Sequence, residues 1–145
     1  MIVAAEVATF GVPEVKRGLF AAAGGVYRLP RVLPRNIALE MILTGDPITA
    51  TRAHALGLVN RIVATAEDVL PAAFALARTI ASNSPNALRV SLALARQAHD
   101  ASDVVSRQRS DAAITSVMQH PDSREGALAF VEKRPAVWAV PRSSL

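Results

Sequence analysis

The stretch TFGVPEVKRGLFAAAGG at residues 9–25 decides how the chain is read. Pro13 fixes its own φ and biases Val12 toward an extended backbone, so a strand-like segment turns here into a short helix. Glu14 falls at that turn with Val12 and Val15 around it. A carboxylate desolvated among such neighbours is placed to deliver or accept a proton. The plainer alternative is a surface glutamate in a helix's first turn, favoured by the helix dipole. The residues by themselves leave both open. Gly24 and Gly25 precede another helical segment, where they either present backbone N–H groups to an anion or let two backbone segments approach closely. No Lys-Ser/Thr pair follows at phosphate-loop spacing.

Upstream, residues 2–5 are an apolar run that suits a buried strand, although so short a run does not separate strand from helix by periodicity. Downstream, a short helix reaches about Leu29. Residues 36–43 form a helix closed by Gly45, and Asp46-Pro47 forbids continuation. Thr49 caps a brief helix ending at Gly57, and residues 58–63 read as extended. The second half is helical. Asp68 caps a helix with Pro71 in its first turn and Val69, Ala73, Leu76 and Ile80 on one face, stopping near Asn83. Ser84-Pro85 opens a second helix with Leu88, Leu92 and Ala95 on one stripe. A third runs from about Asp103 to His120. A fourth starts at Asp122, whose spacing to Glu125 suits reciprocal capping, with Ala127, Leu128 and Val131 as its apolar face and Pro135 as its end. Two strands are marginal in water, so a chain with one N-terminal strand and one weak partner reads as the back part of a larger fold.

Composition narrows the chemistry. With 145 residues, 51% hydrophobic and mean hydropathy +0.28, the chain is long enough for one ordinary domain with a real core, which argues against disorder. The absence of cysteine removes disulfides, thiolate zinc sites and cysteine nucleophiles, and fits a reducing cytoplasm. His54, His99 and His120 are too scattered for a metal site and read as helix-end or surface residues. No G-x-S-x-G is present. Net charge +4 comes from fourteen arginines and two lysines spread along the whole length, with little aromatic interleaving, which argues against a nucleic-acid surface. No apolar run approaches membrane-spanning length, and the start lacks the pattern of a signal peptide. The run Phe130-Val131-Glu132-Lys133-Arg134 reads, taken alone, as the amphipathic close of a helix with cations at its C-terminal dipole.

Three blocks, TFGVPEVKRGLFAAAGG, LTGDPITATRAHALGLVNRIV and EGALAFVEKRPAVW, together resemble in order and spacing the signatures of the crotonase family, the enoyl-CoA hydratases and isomerases. The resemblance implies an α/β crotonase-like fold, a ββα spiral. On this resemblance the fold would be truncated to its C-terminal part and mostly α-helical, with one or two short strands. Residues 1–65 would be the remnant of the spiral core, and residues 66–145 a helical region for oligomerisation and coenzyme A contact. It implies that Glu14 is the catalytic glutamate that, with a second one, holds water and exchanges protons with the substrate's α-carbon. The family's PGAGG turn reads AAAGG here, so the N–H near the catalytic water falls to Ala22. Phe130 would lie near the acyl tunnel and Lys133 near the nucleotide's 3′-phosphate. The substrate implied is an acyl-CoA thioester, with no cofactor, metal, nucleic acid or membrane involved. The full-length parent would be a cytoplasmic homo-oligomer, a trimer or hexamer, hydrating 2-enoyl-CoA in fatty acid β-oxidation.

The same resemblance places the second glutamate and the oxyanion-hole amides upstream of Met1. The expectation is therefore a fragment that is inactive alone. Enoyl-CoA isomerisation, or a non-catalytic helical module that self-associates, are the competing readings.

Overall fold

The computed structural model describes residues 1–139. In chain order the first elements are β1 (Val3–Ala5), β2 (Thr9–Phe10), a 3₁₀ helix η1 (Pro13–Arg17), α1 (Gly25–Val32), α2 (Arg35–Thr44), β3 (Ile48–Thr49), α3 (Ala50–Ala55) and β4 (Arg61–Val63). Four long helices follow: α4 (Val69–Ala81), α5 (Pro85–Ala98), α6 (Asp103–Gln119) and α7 (Pro121–Glu132). The chain divides inside α4 into two compact units, Met1–Ala75 and the part from Leu76 on.

In the first unit the apolar run at residues 2–5 becomes β1, which pairs in parallel with β4 in the register Val3–Arg61, Ala4–Ile62, Ala5–Val63. Asn60 pins the pair by accepting the Ile2 N–H on its Oδ1 at 2.7 Å. Beyond the two strands expected, β2 and β3 form a second, antiparallel pair of two residues each. Segments that short carry no alternation to read. The core lies around α2, α3 and these strands: Ala38, Met41, Ile48, Ala50, Ala53 and Val59 pack there with Ala4 and Leu33, and all are buried.

The punctuation behaves as read in most places. Gly45 closes α2 in the left-handed region at φ 68°. A side chain there would meet Val15 Cγ2 at 3.1 Å and Lys16 Cε at 3.2 Å, so glycine serves both the turn and the close approach of η1. Thr49 Oγ1 accepts the Arg52 N–H at 3.2 Å and caps α3. The Asp68 carbonyl accepts the first bond of α4, from the Ala72 N–H, and the Val69, Ala73, Leu76 and Ile80 face is half-buried as expected.

In the second unit Ser84 caps α5 by accepting the Ala87 N–H, with Pro85 at the first position. Two stripes differ from expectation. On α5 the covered positions are Asn86, Ala87, Leu88, Val90 and Leu94, while Leu92 and Ala95 face out. On α7 the expected apolar face, Ala127, Leu128 and Val131, is exposed, and Asp122, Glu125, Gly126 and Ala129 point inward. Reciprocal capping between Asp122 and Glu125 does not form. His120 Nδ1 caps α7 by accepting the Asp122 N–H, and both carboxylates bind the chain that follows the helix.

That following segment, residues 134–139, is tied down by four groups. Arg134 forks onto Glu125 (Nη1–Oε1 2.6 Å, Nη2–Oε2 3.1 Å) and bonds Glu132 through Nε at 2.6 Å. Glu125 also accepts the Val137 N–H, Trp138 Nε1 donates to the Ser82 carbonyl at 2.7 Å, and Asp122 accepts the Ala139 N–H at 2.8 Å. Asp122 accepts in addition the Ser84 hydroxyl at 2.6 Å, joining the starts of α5 and α7.

Candidate functional site

Glu14 is held by a turn whose every feature traces to a neighbouring residue. Val12 is extended at φ −132° before Pro13, which starts η1. Gly18, left-handed at φ 71°, ends it with two bonds, Leu19 N–H to the Glu14 carbonyl and Gly18 N–H to the Val15 carbonyl, a Schellman closure. Lys16 Nζ reaches Asp46 Oδ1 at 2.5 Å and ties the turn to the loop after α2. Both side chains are well exposed, so this pair contributes little beyond location.

Within this frame Glu14 is half-buried, and its Oε2 is buried with no hydrogen-bond partner among the described residues. Buried polar atoms are nearly always paired, so an orphan carboxylate oxygen makes Glu14 a candidate functional group. The carboxylate lines an open cavity of about 350 Å³ together with Pro13, Lys16, Arg17 and Leu19.

Ala22 lies in the same unit, exposed in the turn after η1. Its N–H, expected to face the reaction centre, donates instead to the Phe20 carbonyl at 2.7 Å. Gly25 serves close packing, since a Cβ there would sit 2.7 Å from Ala21 Cβ and 3.1 Å from Val12 Cγ1.

Phe130 and Lys133 belong to the second unit, and Glu14 to the first. Phe130 is 85% exposed. Lys133 follows α7 in the left-handed region, φ 53° and ψ 38°, the one non-glycine residue with positive φ among those described. Arg134 N–H bonds the Ala129 carbonyl and Lys133 N–H the Phe130 carbonyl, so α7 ends in the same closure as η1, with lysine where η1 has glycine. The helix therefore stops at Glu132, before Pro135 acts.

Carboxylate electrostatics concentrate beside this closure. The Arg134 fork holds the Glu125 carboxyl at about 2, helped by the Val137 N–H, and Glu125 with Glu132 raises the Arg134 guanidinium above its ordinary value. The Ser84 hydroxyl, then the Ala139 N–H and His120, hold Asp122 below the usual carboxylate range against the opposing effect of desolvation.

Arg17 was not singled out by sequence reasoning, and Arg134 entered it only as one of the cations at the close of the last helix. The Glu125–Arg134 spacing matches no helical period and becomes a contact only because the chain reverses at Lys133. Arg17 had a faint signal, its i+3 spacing from Glu14. The three histidines sit at helix ends: His54 in the last turn of α3, His99 after α5 and His120 between α6 and α7. Among the described residues no three metal-ligating side chains group together, and no helix is long and apolar enough to cross a membrane.

The family model for enoyl-CoA hydratase/isomerase matches residues 1–141. The chain is 37% identical over 143 residues to the mevalonyl-coenzyme A hydratase of Aspergillus fumigatus, covering 95% of this chain and 52% of the relative. Among solved structures it resembles enoyl-CoA hydratase EchA1 from Mycobacterium marinum (TM-score 0.90, 42% identity, 95% of this chain and 54% of that one). It also resembles the enoyl-CoA hydratase from Mycobacterium tuberculosis H37Rv (TM-score 0.91, 41% identity, 96% and 55%). The chain thus spans about half the length of the proteins it matches, carrying their fold over that half. It belongs to the enoyl-CoA hydratase/isomerase family, with the crotonase fold.

Proposed function

We propose that the chain is the C-terminal part of a crotonase-family enzyme that hydrates 2-enoyl-CoA thioesters, and that Glu14 is its proton-transfer residue. One observation carries this reading: a buried carboxylate oxygen without a partner among the described residues, at the wall of an open cavity, on the motif that resembles the family's catalytic glutamate. In the reaction, water adds its oxygen to the β-carbon while a carboxylate takes its proton, and the α-carbon receives a proton in return. Glu14 is placed to serve that exchange. No cofactor enters this scheme, because the acyl-CoA is the substrate.

The order of the three motif blocks supports the C-terminal placement, since the second glutamate and the oxyanion donors would then lie in the half these residues do not span. A general acid–base group is worth roughly 10²–10⁴ in rate. An oxyanion donor is worth about 10²–10³ more. Phe130 and Lys133, both projecting outward from the end of α7, fit contact with coenzyme A, and Ala22 fits it less well because its N–H is engaged. The exposed Val104, Ile114, Met118, Leu128 and Val131 support packing of α6 and α7 against other copies in a trimeric or hexameric parent. A cytoplasmic location is part of the same proposal.

The test is a hydration assay of the purified chain on crotonyl-CoA. Turnover indistinguishable from buffer is expected. Turnover that disappears in Glu14→Gln would show that these residues hold a complete site and would overturn the partial-site reading.

A further inference from the structure

We propose that Arg17 selects the acyl group bound beside Glu14, and that the site takes thioesters whose acyl chain ends in a carboxylate. The inference rests on the reading of the Glu14 cavity as an acyl-CoA site and adds the substrate class to it.

The argument begins with the geometry of η1. A 3₁₀ helix has three residues per turn, so side chains at i and i+3 eclipse one another. Glu14 and Arg17 therefore share a face, and both line the same cavity of about 350 Å³. Opposite charges so placed would ordinarily pair. Here they do not: among the described residues Glu14 Oε2 has no partner, and Arg17 takes part in none of the ion pairs. The adjacent Lys16 is neutralised by Asp46. The cavity wall is left with one carboxylate turned partly inward and one guanidinium that forms no ion pair among the described residues.

A guanidinium in that position recognises a planar anion through two parallel N–H bonds, a carboxylate or a phosphate being the usual partner. The location decides between them. In an acyl-CoA the phosphates stand at the far end of the long pantetheine arm from the reacting carbons. Arg17 is three residues from Glu14 on one short turn and shares its cavity, so the anion it meets lies on the acyl side of the thioester. Pro13 and Leu19, also lining the cavity, give the intervening methylenes an apolar surface. The occupant that satisfies all of these is a monothioester of a dicarboxylic acid, its reacting carbons at Glu14 and its free carboxylate at Arg17.

The test compares the binding of glutaryl-CoA and pentanoyl-CoA to the purified chain by calorimetry. These saturated probes have acyl chains of equal length and differ in the terminal carboxylate. Wild type should bind glutaryl-CoA about tenfold tighter or more, the worth of a charge-assisted hydrogen bond. Arg17→Leu should erase the preference by weakening glutaryl-CoA binding about tenfold relative to pentanoyl-CoA, and Arg17→Lys should keep part of it. Because Arg17 is exposed on a short turn, both variants should retain the wild-type circular dichroism. Equal affinities in wild type, or a preference that survives Arg17→Leu, would overturn the selection by Arg17 while leaving the acyl-CoA reading in place. Failure to bind either thioester would overturn both.

Discussion

In the first unit Ala38, Met41, Ile48 and Val59 are buried among other apolar side chains, whereas the buried residues of the second, among those described, are Ser84, Asn86 and Asp122 with Ala129 alone as an apolar companion. The large apolar side chains of the second unit, Leu92, Ile114, Met118 and Phe130 among them, stay exposed. One unit is held by area removed from water, the other by satisfied hydrogen bonds and paired charges. The first kind of interior tolerates an unpaired carboxylate only at a cost, and among the described residues Glu14 carries that cost. The second buries one ionised group, Asp122, and half-buries Glu125 and Arg134, and each of these has partners. Unpartnered acid in an apolar unit reads as function, while partnered acid in a polar unit reads as architecture.

The largest effect that could break this contrast lies in the first core. Met41 is 2% exposed, and Met41→Ala should lower stability by about 2–5 kcal/mol through lost transfer and the cavity left behind. Urea denaturation followed by the single tyrosine, Tyr27 in α1, reports this unit, and the single tryptophan, Trp138, reports the other. A loss well under 1 kcal/mol on the tyrosine signal would mean that the first unit is not held by its apolar interior.

Acid should act on the second unit instead. Asp122 and Glu125 have folded pKa values below their unfolded ones, so the stability they lend is fully present above about pH 4 and is lost as pH falls toward about 2. Across that window the Trp138 emission should shift red as its bond to the Ser82 carbonyl opens, with the tyrosine signal of the first unit changing less. Glu125→Gln should weaken the Arg134 fork at neutral pH and flatten the acid dependence of the tryptophan signal. A tryptophan shift identical in wild type and Glu125→Gln would remove the carboxylates from the account.

The same contrast explains what could be read in advance. Local chemistry was legible: Gly45 after α2, Thr49 before α3, Ser84-Pro85 before α5, and the turn at Pro13 that presents Glu14, all follow from bonds within a few residues. Boundaries and caps obey short-range rules. The faces of α5 and α7 were not legible, because periodicity assumes that apolar means inward. On α7 the inward positions belong to Asp122 and Glu125, whose partners are Ser84, Arg134, Val137 and Ala139, brought in by chain reversal rather than by helical spacing. The site divides in the same way. The position of Glu14 was legible from Pro13, but the orientation of the Ala22 N–H depended on a local turn, and the cavity shared with Arg17 depended on η1 being a 3₁₀ rather than an α-helix.

The smallest effect is also the sharpest, because its sign is unusual. Most substitutions of a half-buried residue destabilise. Glu14→Met keeps the length of the side chain and removes a buried oxygen that has no partner, so the desolvation penalty goes and no hydrogen bond is lost with it. Stability should hold or rise, by up to about 1 kcal/mol, as expected where a residue is kept for activity rather than for folding. Asp122→Leu, which strands the Ser84 hydroxyl and the Ala139 N–H, should move the other way. Paired urea titrations of the two variants decide the matter. If Glu14→Met loses more than about 1 kcal/mol, the carboxylate is structural like its counterparts on α7. The difference between the two units would then be one of composition alone.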